Sequence, residues 1–278
     1  MVSTCLSRVL LCFIFLIGPL AVGMQPDAPI NAQQFLLVIK HDGSQGVARI
    51  NGVPAHHFSS SLGQGSETDS VGSMSMFAKN GANVITVEAR PEAAGHKAST
   101  EVSVIVNTGS FDDLNKSLFT QKIDGSGSAT YTVVLQGVPQ WAFLTGTAWS
   151  GDKNAVLAAV RALHKAYADR DFKTIEAVQK AGFDDLSAAM GEALGSYADL
   201  CADQRKLLKT AKLSPLDAQL TVESFYDGRL LVVSDKDGLA PIRLASAAVD
   251  KEGRPKETMA TGQFWIYRDG KWSVIRTS

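Results

Sequence analysis

The sequence predicts an α+β protein, with an N-terminal all-β sandwich domain followed by helices packed on a curved antiparallel sheet. Three observations carry that expectation. Short runs rich in β-branched residues, punctuated by Gly, Asn and Pro, fill residues 35–140. Near Ser150 the apolar period changes to that of a helix. After Pro215 the strand patterns return, and two of their turns read Asp-Gly.

The first stretch belongs to neither half. Arg8 precedes "VLLCFIFLIGPLAVG", an apolar run broken by Gly18-Pro19 and followed by Ala21 and Gly23. A positive charge, a short apolar core and a small-x-small exit describe a secretory signal cleaved near Gly23–Met24. A membrane anchor would need about 20 apolar residues with charged flanks. The expected product is exported, to the periplasm or the extracellular space, with no stable membrane insertion after cleavage. Cys5 and Cys12 leave with the signal, and Cys201 then stands alone. No intramolecular disulfide can form, so the core must hold the fold.

The expected boundaries are a signal at 1–23, a flexible mature N-terminus at 24–34 and a sandwich at 35–140. A linker at 141–151 and an α+β domain at 152–278 complete the chain. The formal net charge is −1, and loss of Arg8 makes it one unit more negative. Neither a nucleic-acid partner nor an anionic membrane is implied.

In the first half, "FLLVIKH" opens the strand series, and the turns "DGSQG" and "NGVP" punctuate it. "VGSMSMFA", "ANVITVEAR", "TEVSVIVN" and "ATYTVVLQG" are read as further strands. Val84, Thr86 and Glu88 alternate with Ile85, Val87 and Ala89, the two-residue period of a half-buried strand. "MFAKNGANVITVEARPE" resembles a recurrent element of sandwich modules, a turn ending in Gly-x-Asn and then a regular strand.

In the second half, "GDKNAVLAAVRALHKAYADRDF" places Val156, Ala159/Val160, Leu163 and Tyr167 on one stripe. Asp152 or Ser150 is its expected N-cap. "FKTIEAVQKAG" is read as a second helix closed by Gly182. The third runs through "DDLSAAMGEALGSYADLCADQRKLLKTA", with Asp184-Asp185 as its cap. Its basic run, Arg205, Lys206, Lys209 and Lys212, suits a helix C-terminus. The last hairpin sets Tyr267 opposite Trp272 and Trp265 opposite Val274, with Phe264, Ile266, Ser273 and Ile275 on the other face. Both faces are apolar, so one should pack on the helices and the other must meet a ligand, the β-domain or a partner.

"AVRALHKAYADRDFKTIEAV" and "GQFWIYRDGKWSVIR" resemble the two ends of an NTF2-like (cystatin-like, SnoaL-type) domain over roughly residues 150–278. The resemblance implies an α+β cone. It carries no single activity, because that fold hosts isomerases, dehydratases, transport factors, immunity proteins and pure binding modules.

Two functional classes follow. The favoured one is a non-catalytic exported binding protein for a protein partner or small apolar ligand, an inhibitor or immunity protein against a secreted toxin being one version. Its expected contacts are Trp265, Tyr267, Trp272 and Tyr226. The other is an isomerase or dehydratase working in the cone, with His164, Tyr167 and Glu223 as its catalytic candidates. Asp184 and Asp185 are weaker candidates that suit helix capping better. No cofactor is implied. No metal is expected either, because His56 and His57 are adjacent on a strand and point to opposite faces. Cys201 reads as a small buried hydrophobe. The Gly-rich turns Gly63-Gln64-Gly65 and Gly125-Ser126-Gly127 lack the strand–loop–helix context of a phosphate site. A carbohydrate role for the sandwich is weakly supported, since no Trp lies between the signal and Gln140.

Overall fold

A computed structural model describes residues 29–32, 34–59, 67–71, 76–95, 97–106, 117–190, 196–247 and 258–275. The expected signal, its expected cleavage site and the Gly63-Gln64-Gly65 turn lie outside the described residues. The architecture is mixed α+β, mostly sheet with three longer helices among the described residues.

Nine strands build the first half: β1 (Ile30–Asn31), β2 (Phe35–Asp42), β3 (Ser44–Ile50), β4 (Val53–Ser59), β5 (Glu67–Val71), β6 (Gly81–Pro91), β7 (Ser99–Val106), β8 (Ser117–Asp124) and β9 (Gly127–Gln136). They form two sheets, ordered β1-β9-β6-β3-β4 and β5-β2-β7-β8. The segment expected to be flexible contributes β1, which pairs with β9 in parallel. Along β6 the expected alternation holds, with Ile85, Val87 and Ala89 buried and Val84 exposed. Inward residues of both sheets, among them Leu37, Ile39, Val102, Ile85 and Val133, share one apolar cluster.

The "DGSQG" turn is shorter than expected. Gly43, at φ +58°, carries the chain from one sheet to the other, and a side chain there would meet the Lys97 carbonyl at 2.8 Å. Asn51-Gly52 closes β3 and β4 with positive φ at both residues, as a two-residue hairpin demands. "VGSMSMFA" is not one strand: Val71 ends β5, while Met76 and Phe77 are buried outside any strand. The Gly-x-Asn element has a physical basis. Buried Asn83 donates to the Lys79 and Gly81 carbonyls at 2.7 and 2.9 Å and accepts from Lys79 N at 2.9 Å, which satisfies that turn from within.

The second half opens with a short helix α1 (Ala142–Thr145), then α2 (Asn154–Asp169), α3 (Phe172–Met190) and α4 (Tyr197–Thr210). Neither Asp152 nor Ser150 is the residue that caps α2: Lys153 precedes the helix without a capping side-chain bond, while Asp152 Oδ1 accepts from Asn154 N at 2.9 Å in the turn leading in. Val156, Val160, Leu163 and Tyr167 are all buried. Arg170 leaves α2 at φ +58°, and Asp171 begins α3 by accepting from Thr174 N and Oγ1.

Two expectations for α3 are corrected. Gly182 does not end the second helix; α3 runs through it. A Cβ at Gly182 would lie 2.3 Å from the Val274 carbonyl, so this glycine admits a strand and does not stop a helix. Asp184-Asp185 therefore lies inside α3 and caps nothing, and Asp184 pairs with Lys180 one turn earlier. The cap of α4 is Ser196, whose hydroxyl accepts from Asp199 N at 3.1 Å. In the basic run, Arg205 Nε donates to Glu176 of α3 at 2.8 Å.

Seven strands follow: β10 (Lys212–Leu213), β11 (Thr221–Phe225), β12 (Leu230–Ser234), β13 (Ile242–Ala245), β14 (Thr258–Thr261), β15 (Phe264–Arg268) and β16 (Lys271–Val274). Their sheets run β11-β12-β15-β16 and β10-β13-β14. The last hairpin has the expected register, Tyr267 opposite Trp272 and Trp265 opposite Val274. Leu231, Val233, Trp265 and Val274 join the cluster under α2, α3 and α4. Leu230, Val232, Phe264, Ile266 and Ile275 join the cluster of the first half. The second apolar face of the hairpin thus meets the β-rich half of the same chain.

Candidate functional site

Packing separates the residues proposed from the sequence. His164 lies half-buried on α2, with Nε2 3.0 Å from the Ser214 carbonyl, and ties the helix to the segment after β10. Tyr167 lies nearly a turn further on and is buried. Its hydroxyl accepts from Gln179 Nε2 at 2.6 Å and Gln204 Nε2 at 2.9 Å, which joins α2 to α3 and α4. Burial pushes its phenol well above the ordinary value, against hydrogen bonds from Gln179, Gln204 and Thr261. The phenol is therefore neutral at ordinary pH. Glu223 is exposed on β11 and sits opposite Val232, whose side chain faces the first half. His164 and Tyr167 point to the helical side, and Glu223 to the other face of the sheet. The three do not converge.

Of the expected contact residues, Trp265 has no exposed surface, and its Nε1 donates to the Gly262 carbonyl at 2.5 Å. Tyr226 seals the junction between the halves. Its hydroxyl donates to the Phe77 carbonyl and accepts from Asn51 Nδ2 at 3.3 Å, and its ring lies 5.0 Å from that of Phe143. Phe77 in turn packs 4.7 Å from Phe264. The Asp227-Gly228 turn is more contorted than a two-residue hairpin needs, with φ +52° at Tyr226, +56° at Asp227 and +87° at Gly228. These junction contacts hold Tyr226 in a conformation that is costly for a bulky side chain.

Tyr267 and Trp272 remain half-buried at the tip of the last hairpin. They meet a third ring that sequence reasoning missed, Trp149, at 4.6 and 5.0 Å, while lying 5.1 Å from each other. Trp149 belongs to the extended strap between α1 and α2. Its backbone N donates to the Gly228 carbonyl at 2.9 Å, and Gly151 leaves room for its ring: a Cβ there would sit 2.6 Å from the indole. Indole Nε1 is buried with no partner among the described residues. The only sequence signal was a lone aromatic in "GTAWSGDK", a stretch whose Gly and Ser content reads as a loose linker. Arg268, Lys271 and Lys153 are exposed nearby in the chain, and Lys153 Nζ donates to the Val222 carbonyl at 2.9 Å.

Cys201 is buried in α4, and burial pushes its thiol up, which makes it a poor nucleophile. Among the described residues, no group of three or more His, Cys, Asp or Glu could hold a metal ion. No described helix is long and apolar enough to cross a membrane. Comparison with protein-family models, with curated proteins and with solved structures found no match to this chain.

Proposed function

We propose that the mature chain is an exported, non-catalytic binding protein, a β-sandwich joined to an NTF2-like cone, which recognises a protein partner or a small apolar ligand. An inhibitor or immunity protein acting on a secreted toxin is one form of this reading. The observation that carries it is the Trp149–Tyr267–Trp272 cluster, three large rings left partly open to solvent beside a hairpin tip that carries Arg268, Asp269 and Lys271. Rings of this kind give large contact area at low conformational cost. Trp265 and Tyr226 then act as supports beneath that surface and not as contacts.

The enzymatic reading, an isomerase or dehydratase of the cone, draws on the Tyr167 hydroxyl buried among Gln179, Gln204 and Thr261. Both Gln donors close on Tyr167 itself, which favours a structural role. The test is native mass spectrometry of the mature protein, purified gently from its source, with Tyr267→Ala and Trp272→Ala alongside. A protein or small molecule retained by the wild type and lost from both folded variants supports binding at the cluster. Retention by both variants removes the cluster from the proposal. A bound small molecule that is chemically converted on incubation, and no longer converted by Tyr167→Phe, replaces the binding reading with the enzymatic one.

A further inference from the structure

The junction between the two halves contains a titratable group placed against a rigid turn. His57 lies on the edge strand β4, on the face opposite the buried Phe58. Its ring carbon Cε1 comes within 3.5 Å of where a Cβ would stand on Gly238 in the second half. His57 Nε2 is buried and has no hydrogen-bond partner among the described residues.

The turn it abuts has little freedom to adapt. Asp235 Oδ1 accepts from Asp237 N and Leu239 N, both at 2.9 Å, and Oδ2 accepts from Arg243 of β13. Gly238 N donates back to the Asp235 carbonyl at 3.1 Å, which closes the loop. Asp235 is buried, and both its oxygens are in use.

We infer that His57 is a proton-sensitive contact, and that acidification loosens the seat of the Asp235–Gly238 turn on strand β4. Burial sets the direction, and two of the three charges around the ring reinforce it. Arg49 of β3 and His56 of β4 both disfavour a second positive charge beside them. Among the described residues, Asp235 is the carboxylate that favours it, and Arg243 already engages that carboxylate. Arg49 is itself shared with Glu88 of β6 at 3.6 Å. On the turn, Lys236 and Asp237 are exposed and paired with each other at 2.7 Å.

Burial lowers the pKa of His57, the charges of His56 and Arg49 act in the same direction, and Asp235 opposes them. The seated ring thus prefers to be neutral, while a freed ring titrates near its ordinary 6.5. The released state binds the extra proton first. The stabilisation from this contact is therefore complete above the ordinary value, and is lost as pH falls below it toward the lowered value of the seated ring.

The test is backbone hydrogen exchange of β4 and residues 235–239, between about pH 7.5 and pH 5.5, corrected for the intrinsic pH dependence. It compares the full chain with His57→Gln and His56→Gln. The wild type and His56→Gln should lose protection at these amides on acidification, and His57→Gln should not. Equal loss in His57→Gln, or gained protection in the acidified wild type, overturns the inference. Should His57→Gln fail to fold, titration of the His57 ring protons in the wild type decides the matter. A midpoint below the ordinary value supports the inference, and one at or above it overturns it.

Discussion

At the residue scale, the two hairpin tryptophans separate by burial. Trp265 is wholly enclosed and Trp272 only half so. Trp265→Ala should cost about 3–5 kcal/mol of unfolding free energy, the usual loss for a buried aromatic. Trp272→Ala should cost less than half of that, and urea unfolding of the two variants checks the order. Equal losses would mean that Trp149 encloses Trp272 more fully than its exposure suggests. Tyr226→Phe keeps the ring but removes the hydroxyl that joins Phe77 and Asn51. It should lose about 1 kcal/mol in the same assay, because the Phe77 carbonyl loses one of two donors and keeps Asn51 Nδ2 at 3.3 Å. An unchanged midpoint would show that Asn51 alone satisfies that carbonyl.

At the element scale, two opposing effects meet at Gly182. Alanine favours a helix interior over glycine by about 1 kcal/mol. Its Cβ would also press within 2.3 Å of the Val274 carbonyl, where backbone and not a flexible side chain must yield. Overpacking of that kind costs about 1–3 kcal/mol. The contact should win, so Gly182→Ala is expected to lower the melting temperature. A rise would show that α3 and β16 can separate cheaply.

At the scale of the whole molecule, one core is shared between the two halves, beside a second that the helices enclose. Phe77, Ile85 and Val133 of the first half share a cluster with Val232, Phe264 and Ile266 of the second. Exposing one half therefore uncovers apolar surface on the other. Thermal unfolding should be a single cooperative transition whose calorimetric and van't Hoff enthalpies agree. Two resolved transitions would show that the shared cluster contributes little to docking.

Much of the architecture is legible in local pattern. The alternation along β6, the α2 stripe and the Asp269-Gly270 register all follow from periodicity and turn chemistry, which depend on neighbours in the chain. Strand β8 gives little signal because its apolar residues, Leu118, Phe119 and Ile123, do not follow a clean alternation, and at the sheet edge Ile123 is its one buried residue. Gly182 and Asp184-Asp185 mislead because a glycine placed for close packing looks, in one dimension, like a helix stop. Among the site residues, the sequence alone could identify aromatic and titratable side chains, but not whether they meet. Trp149 reaches Tyr267 and Trp272 from the far side of three helices, and His57 reaches Gly238 across the junction. Local preferences therefore determined which elements form. Only tertiary packing decided which apolar face met which core, because burial depends on contacts between segments far apart in the chain.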